Sequence, residues 1–380
     1  MAEPLKTLYN PALVRTMAQH LARAAGALGE SFDAAGFAAA ALDGLEDREL
    51  MARAELISDA LETHLPDDFP RAAALLRAAL HPGAAPDGGA APPDDALGLR
   101  GWAIVPMGRF VSRCGMGHID LGLETLRDFT SRLTSEFALR PFYLADPETT
   151  LAHARRWAQD PDPHVRRLAS EGLRPRLPWG LRLKPLVEDP APILPILTTL
   201  RDDPSDYVRR SVANALNDIA KDHPDLVAGI VADWLDGASS ERAALLRHAA
   251  RTLIKAGHEG ALASFGYGAA DLAEVTVSVT PDAVRMGEAL EITVTLTARG
   301  PAAQPVLLDY VVHSQRADGR LSPKVFKWTK ATLEPGVQRV FRKRHPLREV
   351  TTRRHYPGAH RVSVQVNGAI VGAVDVTLLG

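Results

Sequence analysis

The chain has 380 residues, of which 46% are hydrophobic and 24% are charged. This length is too great for one compact core and the composition is that of a folded protein, so two or three domains are expected. Residues 274–380 carry 15 Lys and Arg against 9 Asp and Glu, a net charge of +6, whereas residues 1–273 carry 29 against 37, a net of −8; a polyanion would therefore bind the C-terminal part and be repelled by the N-terminal part.

Several protein classes are excluded at this stage. The single cysteine, Cys114, rules out an intrachain disulfide framework and a cysteine-based zinc cluster. The first residues do not form a basic segment followed by an apolar one, and no uncharged apolar run approaches the length of a membrane span. We therefore expect a cytosolic protein with no membrane partner.

The N-terminal two-thirds has helical periodicity. Between about residues 10 and 258 apolar residues recur three or four positions apart, as Leu13, Met17 and Leu21 illustrate. Residues 82–95, with the sequence PGAAPDGGAAPPDD, interrupt this pattern and cannot bury a core. They predict a flexible loop at about residues 82–97 within the helical domain.

An internal repeat identifies the kind of helical domain. Segments 160–171 and 203–214 match each other, and the tripeptide Val-Arg-Arg occurs in both, 43 positions apart. A helix, an Asp-Pro turn and a second helix at spacings near 35–43 residues are typical of HEAT-like α-solenoids, in which helix pairs stack and form a long concave face. We predict such a helical-repeat domain over residues 1–268.

The C-terminal part changes from helical to alternating periodicity. Asn367-Gly368 has the composition of a two-residue hairpin turn. Seven short alternating segments predict an immunoglobulin (Ig)-like β-sandwich over residues 272–380; these segments are 274–280, 290–297, 306–313, 324–330, 337–344, 361–366 and 370–378.

Acidic residues stand among cations on the predicted second helices of the repeats. Residues four apart share a helical face, so Arg132, Glu136 and Arg140 should form one row, and similar rows follow in later repeats. The further rows are Arg167 with Glu171 and the adjacent Arg174, then Arg210, Asn214 and Asp218, then Arg247, Arg251 and Lys255. A solvated salt-bridging face explains any single pair, but four aligned rows favour a phosphate-binding surface in which three carboxylates serve another purpose.

Trp179 is a second candidate functional residue. It follows Pro178 just after a predicted helix, and three cations lie nearby in the sequence: Arg174 and Arg176 before it and Arg182 after it. A tryptophan that caps the helical core would explain it, and so would an indole that packs on a sugar or base beside a basic groove.

A second group of cations lies in the β-domain. Seven cations occur within residues 339–354, where Glu349 is the one acid. Charges that protect an exposed sheet edge are the simpler explanation, but this number favours contact with a nucleic-acid backbone. The candidate DNA contacts in both domains are Arg140, Arg167, Arg174, Arg176, Arg210, Arg247, Arg251, Arg342, Lys343, Arg344, Arg353 and Arg354.

Common cofactor signatures are absent from the sequence. It has no Walker A loop, no dinucleotide-binding glycine pattern and no H-E-x-x-H motif. No histidine pair combines metal-ligand spacing with a supporting carboxylate. We therefore expect neither a metal nor an organic cofactor.

Two sequence blocks carry a resemblance to a known family. SEGLRPRLPWG, at 170–180, and YVRRSVANALNDIAKDHP, at 207–224, closely resemble the AlkC-type DNA alkylation-repair glycosylases. The likeness extends over residues 5–260, and the predicted sandwich resembles the Ig-like domain of one branch of that family. The resemblance implies a HEAT-like fold that acts on double-stranded DNA and excises N3- and N1-alkylated bases, notably 3-methyladenine and 3-methylcytosine and also 1-methyladenine.

The resemblance also assigns roles to residues already isolated by their spacing. It places the active-site acids at Glu136, Glu171 and Asp218 and the aromatic contact at Trp179. We expect Asp218 and Glu171 to act most directly and Glu136 to support them, in an enzyme that acts as a monomer. The alternative is a non-catalytic HEAT-repeat scaffold that binds nucleic acid or protein, since most α-solenoids are binding surfaces.

Overall fold

The computed structural model describes residues 5–86, 96–349 and 354–380. Sixteen α-helices occur within these ranges, and no helix among them is long and apolar enough to cross a bilayer. The helices are α1 Pro11–Leu28, α2 Ala34–Leu42, α3 Leu50–His64, α4 Phe69–Ala78, α5 Ile104–Cys114, α6 Ile119–Thr130, α7 Glu136–Ala145, α8 Pro147–Trp157, α9 Pro163–Glu171, α10 Lys184–Glu188, α11 Leu194–Leu200, α12 Asp206–Ile219, α13 Pro224–Leu235, α14 Ser240–Ala249, α15 Arg251–Ala256 and α16 Glu259–Ser264.

Eight strands follow the last helix. They are β1 Leu272–Thr280, β2 Ala283–Val284, β3 Ala289–Ala298, β4 Gln304–Gln315, β5 Leu321–Leu333, β6 Gln338–Pro346, β7 Gly358–Val366 and β8 Ala369–Leu378. The predicted class, helical repeats followed by an Ig-like sheet domain, is confirmed. Most of the predicted flexible loop, 87–95, lies outside the described residues.

The described residues pack into two compact units. One contains residues up to 222 together with 239–249, and the other contains 223–238 together with residues from 250 onwards. In the first unit α12 packs against both α9 and α14, and α5 packs against α3 and α7. The second helices of successive repeats are thus neighbours, as HEAT-like stacking requires.

The first arginine of each Val-Arg-Arg tripeptide stabilises the turn that precedes its helix. Arg166 Nη1 donates to the carbonyl oxygens of Asp160 and Pro161, both at 2.9 Å, and thereby closes the Asp-Pro turn. Arg209 closes the equivalent turn in the next repeat by donating to the carbonyls at 203 and 204. Arg166 also donates from Nε to the buried Asp203 carboxylate at 2.6 Å, so it links two consecutive repeats.

The strands form a sandwich of two sheets. The three-stranded sheet has the order β1-β3-β6 and the five-stranded sheet the order β2-β8-β7-β4-β5. Alternate apolar residues of both sheets, such as Ile292, Leu308 and Val364, form the core between them. The hairpin turn is confirmed: Asn367 and Gly368 both have positive φ, 48° and 83°. The structure has one strand more than the seven predicted. This strand, β2, has two residues, which are too few to show alternation in the sequence.

Replacing Arg166 by methionine is expected to lower the free energy of unfolding of the helical unit by about 2 kcal/mol, because the buried Asp203 carboxylate loses its cation and two carbonyls lose their donor. Urea unfolding followed by circular dichroism at 222 nm measures this. Arg210→Met, at the second arginine of the next repeat, is the control, since its side chain is 64% exposed. Equal destabilisation by the two variants would contradict the assignment.

Candidate active site

The three predicted acids are all buried in the helical unit. Glu136 is the first residue of α7, Glu171 is the last residue of α9, and Asp218 lies in the last turn of α12. Their exposed fractions are 8%, 4% and 2%. Buried carboxylates require ion pairs or hydrogen bonds to remain ionised, and two arginines supply them here.

Arg167 connects Glu136 to Glu171. Its Nη1 atom lies 2.9 Å from Glu136 Oε2, and its Nη2 atom lies 3.5 Å from Glu171 Oε1. The guanidinium also lies over the Tyr207 ring, 4.6 Å from the centroid. Burial disfavours the cation, but the two glutamates outweigh this and raise the pKa of Arg167. The side chain therefore stays charged between its two carboxylates.

Arg174 connects Glu171 to Asp218. Its Nη1 atom donates to Glu171 Oε1 at 2.6 Å and its Nε atom donates to Asp218 Oδ2 at 2.9 Å. Burial disfavours the charged guanidinium, but the two carboxylates outweigh it and raise the pKa of Arg174. Lys221 donates to the other oxygen, Asp218 Oδ1, at 3.0 Å. We call Glu136, Arg167, Glu171, Arg174 and Asp218 the acid–arginine line.

The carboxylate oxygens differ in how fully they are engaged. Both oxygens of Asp218 accept hydrogen bonds, from Arg174 and Lys221. Glu136 Oε2 accepts from Arg167 and from the Thr134 hydroxyl at 2.7 Å. Glu171 Oε2 and Glu136 Oε1 accept no hydrogen bond from any described residue. These two oxygens are therefore available to a substrate or a water molecule.

Trp179 is exposed rather than part of the core. Its side chain lies on the segment between α9 and α10 and is 68% exposed. Its backbone is in the left-handed region at φ 61°, which costs a bulky L-residue about 1–2 kcal/mol. The interpretation as a core-capping tryptophan is therefore wrong. A strained, solvent-facing indole is characteristic of a functional position.

Arg140 anchors the segment that carries Trp179. The side chain has no exposed surface; its Nε atom donates to the carbonyl of Leu181 and its Nη1 atom donates to that of Gly172 at 2.9 Å. Burial, reinforced by the positive charge of Arg174, lowers the pKa of Arg140 to about 10. The expectation that Arg140 contacts phosphates is therefore wrong.

Two other expected groupings need correction. Arg132 lies before α7 and donates to the carbonyl of His81, so it does not share a helix with Glu136. Arg174 is 7% exposed and uses its donors on carboxylates, so it does not present a phosphate-binding surface. The predicted row of Arg247, Arg251 and Lys255 does not lie on one helix, because α14 ends before Ala250 and α15 begins after it.

The remaining predicted cations are mostly at the surface. Arg176 forms a two-bond ion pair with Asp222 at 2.7 and 2.8 Å. Arg210 pairs with Asp206 at 3.3 Å, Arg247 is exposed, and Arg251 is half-buried. These positions allow phosphate contact without rearrangement of the buried line.

The cations of β6 divide between the two faces of that strand. Arg342 and Arg344 are exposed on the outer face, whereas Lys343 is half-buried on the face that looks toward the core. Arg354 is exposed, with its guanidinium 5.4 Å from the Tyr356 ring centroid. Arg353 lies outside the described residues.

Sequence reasoning missed two contributors to the site, Lys221 and Thr134, and it assigned Arg174 to DNA rather than to the acids. Lys221 follows Asp218 by three positions, and Arg174 follows Glu171 by three, so i,i+3 spacing could have indicated both ion pairs. Thr134 could not be found in this way, because it precedes its helix. Among the described residues no group of three His, Cys, Asp or Glu side chains could hold a metal ion.

Comparisons with known proteins agree with this architecture. The family model described as "DNA alkylation repair enzyme" matches residues 134–253, and the C-terminal Ig-like domain of YhaZ matches 273–380. The chain is 38% identical over 283 residues to the uncharacterised protein YhaZ of Bacillus subtilis (strain 168), an alignment that covers 74% of this chain and 78% of YhaZ.

A solved structure matches over the whole chain. It is the Pseudomonas fluorescens alkylpurine DNA glycosylase AlkC bound to DNA containing an abasic site analog, with 36% identity, a TM-score of 0.85 and complete coverage of both chains. A helical-repeat enzyme of DNA alkylation repair is the class that these matches define. The chain belongs to the AlkC-type family of DNA alkylation-repair glycosylases, in the branch with a C-terminal Ig-like domain.

Replacing Arg140 by methionine is expected to loosen the segment 175–183, because the loss of two buried hydrogen bonds removes about 1 kcal/mol or more from its local stability. Amide exchange of Gly180 and Leu183 should accelerate at least about fivefold. Arg182→Met is the control, since this arginine is an exposed member of the same segment. Unchanged exchange in Arg140→Met would show that the anchor is dispensable.

Proposed function

We propose that this glycosylase hydrolyses the N-glycosidic bond of cationic N3- and N1-alkylated bases in double-stranded DNA. The observation that carries the proposal is the acid–arginine line, which buries three carboxylates and leaves two of their oxygens without a donor among the described residues. A surface that only binds DNA gains nothing from buried negative charge, because such charge repels phosphates. The arrangement therefore favours catalysis over a scaffold role.

The chemistry of the lesion matches these residue types. Alkylation at N3 or N1 makes the base cationic, so when the bond from C1′ breaks, its electron pair neutralises the departing base and no general acid is required. The deoxyribose acquires the positive charge in an oxocarbenium-like state. Water then bonds to C1′ and loses a proton. Carboxylates can stabilise the sugar cation and accept that proton.

We assign different parts to the three acids from their hydrogen bonds. Glu171 is held in place through Oε1, and its Oε2 atom accepts no hydrogen bond from a described residue, so we assign it to the attacking water. Both oxygens of Asp218 accept hydrogen bonds, so we assign it to stabilising the sugar cation through space. Glu136 supports the line through Arg167. At ~4 Å and an effective dielectric constant of ~20, one carboxylate attracts a cation by about 4 kcal/mol before desolvation.

The surroundings supply DNA contacts. Trp179, exposed and fixed by its segment, packs against the sugar or base of the damaged nucleotide. Arg176, Arg210, Arg247 and Arg251 contact phosphates in the helical part, and the exposed cations of β6 and Arg354 do so in the β-domain. The family's substrates, 3-methyladenine, 3-methylcytosine and 1-methyladenine, all fit this charge-based selection. The enzyme acts as a monomer in the bacterial cytosol, at the nucleoid.

Glu171→Gln is expected to reduce release of 3-methyladenine from a defined-lesion duplex at least about 100-fold while DNA affinity stays equal or rises, because a base is lost and a charge that repels phosphate disappears. Asp218→Asn should behave similarly. Single-turnover excision and fluorescence anisotropy measure the two quantities.

The matched control is Asp206→Asn on the same helix as Asp218, since Asp206 is exposed and outside the acid–arginine line. It should retain normal excision. Normal turnover in Glu171→Gln would contradict the catalytic assignment, and absence of excision by the unmodified chain would favour a binding scaffold.

The β6 cations are expected to act through counterion release. Replacing Arg342 and Arg344 together by glutamine should reduce the slope of log affinity for duplex DNA against log salt by about 2, since each phosphate contact contributes about 0.9. Arg361→Gln is the control, because Arg361 already pairs with Asp375 at 2.6 Å. An unchanged slope in the double variant would remove β6 from the DNA interface.

A further inference from the structure

The β-sandwich contains a cavity outside the acid–arginine line. It has a volume of about 460 Å³ and opens between β5 and β6, which are the edge strands of the two sheets. No backbone ladder joins these two edges, so the sandwich is open along this side. The space is large enough for a ligand of small-molecule size.

One side of the cavity is aromatic. The rings of Tyr310 and Phe326 stack with centroids 5.2 Å apart and an angle of 13° between planes. The His345 ring is T-shaped to both rings, with its centroid 5.6 Å from that of Tyr310 and 5.0 Å from that of Phe326. The Nδ1 atom of His345 is hydrogen-bonded to Tyr310 Oη at 3.1 Å. Tyr310 is buried, whereas Phe326 and His345 are half-buried, so these two rings offer the surface of a rigid aromatic wall against which a planar group can pack.

Cations surround this aromatic wall. Lys324, Lys343 and Arg348 line the cavity, and none of them has a carboxylate within ion-pair distance among the described residues. Elsewhere in the same domain Arg361 is paired with Asp375. The cavity thus concentrates positive charge that the described part of the protein does not neutralise.

The orientation of Lys343 is informative. Because side chains alternate along β6, Arg342 lies on the outer face. Lys343 lies on the face shared with Phe341 and His345, where it is half-buried. Burial, His355 and Lys324 all lower the pKa of His345, so this ring is neutral at pH 7 and offers hydrogen bonds without further charge. One inward lysine suffices to protect a sheet edge, but three cations around an aromatic wall exceed that need.

We propose that this cavity binds a single nucleotide, whose phosphate is held by Lys324, Lys343 and Arg348 while its base stacks against the wall of Tyr310, Phe326 and His345. Phosphate and an aromatic ring in one ligand match the two chemistries that line the cavity. The nucleotide comes either from solution or from an unpaired position of a DNA strand. The site requires no base excision, so it can be tested independently of the glycosylase reaction.

Calorimetric titration of the full chain with 2′-deoxyadenosine 5′-monophosphate, inorganic phosphate and deoxyadenosine tests the proposal. The nucleotide should bind with 1:1 stoichiometry and at least about tenfold more tightly than either part alone, because charge-assisted bonds and stacking add. Lys343→Gln and Phe326→Leu should each weaken it at least about fivefold. Arg342→Gln, on the opposite face of β6, should leave nucleotide affinity unchanged.

Equal affinity for nucleotide and inorganic phosphate, or unchanged affinity in Lys343→Gln, would overturn the proposal and leave edge protection as the role of these cations. A blunt duplex and the same duplex with a one-nucleotide 3′ extension distinguish the two sources. Preference for the extension, lost in Lys343→Gln, assigns a strand nucleotide; equal duplex affinities with tight binding of the monophosphate assign a free one. Loss of nucleotide binding with intact excision separates this site from the proposed catalytic function.

Discussion

The ion pairs of Arg174 with Glu171 and Asp218 are the interaction on which the site depends. Two carboxylates at 4% and 2% exposure would be very costly to bury alone, and this single guanidinium stabilises both. It also fixes the end of α9 relative to the last turn of α12, because its two bonds reach one residue on each helix. The same side chain therefore holds two helices together and positions two of the proposed catalytic acids.

Arginine, rather than lysine, suits this arrangement. A planar guanidinium donates in several fixed directions and is weakly hydrated, so it can bridge two carboxylates inside the protein. Arg167 repeats the design between Glu136 and Glu171. The alternation of acids and arginines gives each buried carboxylate an ion-pair partner, while the two oxygens that no described residue contacts remain available to a substrate or water.

Much of this organisation could be predicted from the sequence. The repeat of Val-Arg-Arg at 43 positions and the change to alternation near residue 272 predict the fold class, and i,i+4 spacing isolates Glu136, Glu171 and Asp218. Spacing does not tell which cations are inside, so Arg140 and Arg174 were placed at the DNA although both are buried. The left-handed backbone at Trp179 leaves no mark in the sequence, because glycine is the residue that usually signals it.

The central claim is that negative charge in the acid–arginine line recognises a positively charged sugar. Affinity for two duplexes tests it most directly, one with an uncharged tetrahydrofuran at the abasic position and one with a protonated pyrrolidine of the same shape. The cationic ring should bind at least about tenfold more tightly, and Glu171→Gln should shrink that difference. Equal affinity for the two duplexes would contradict the account.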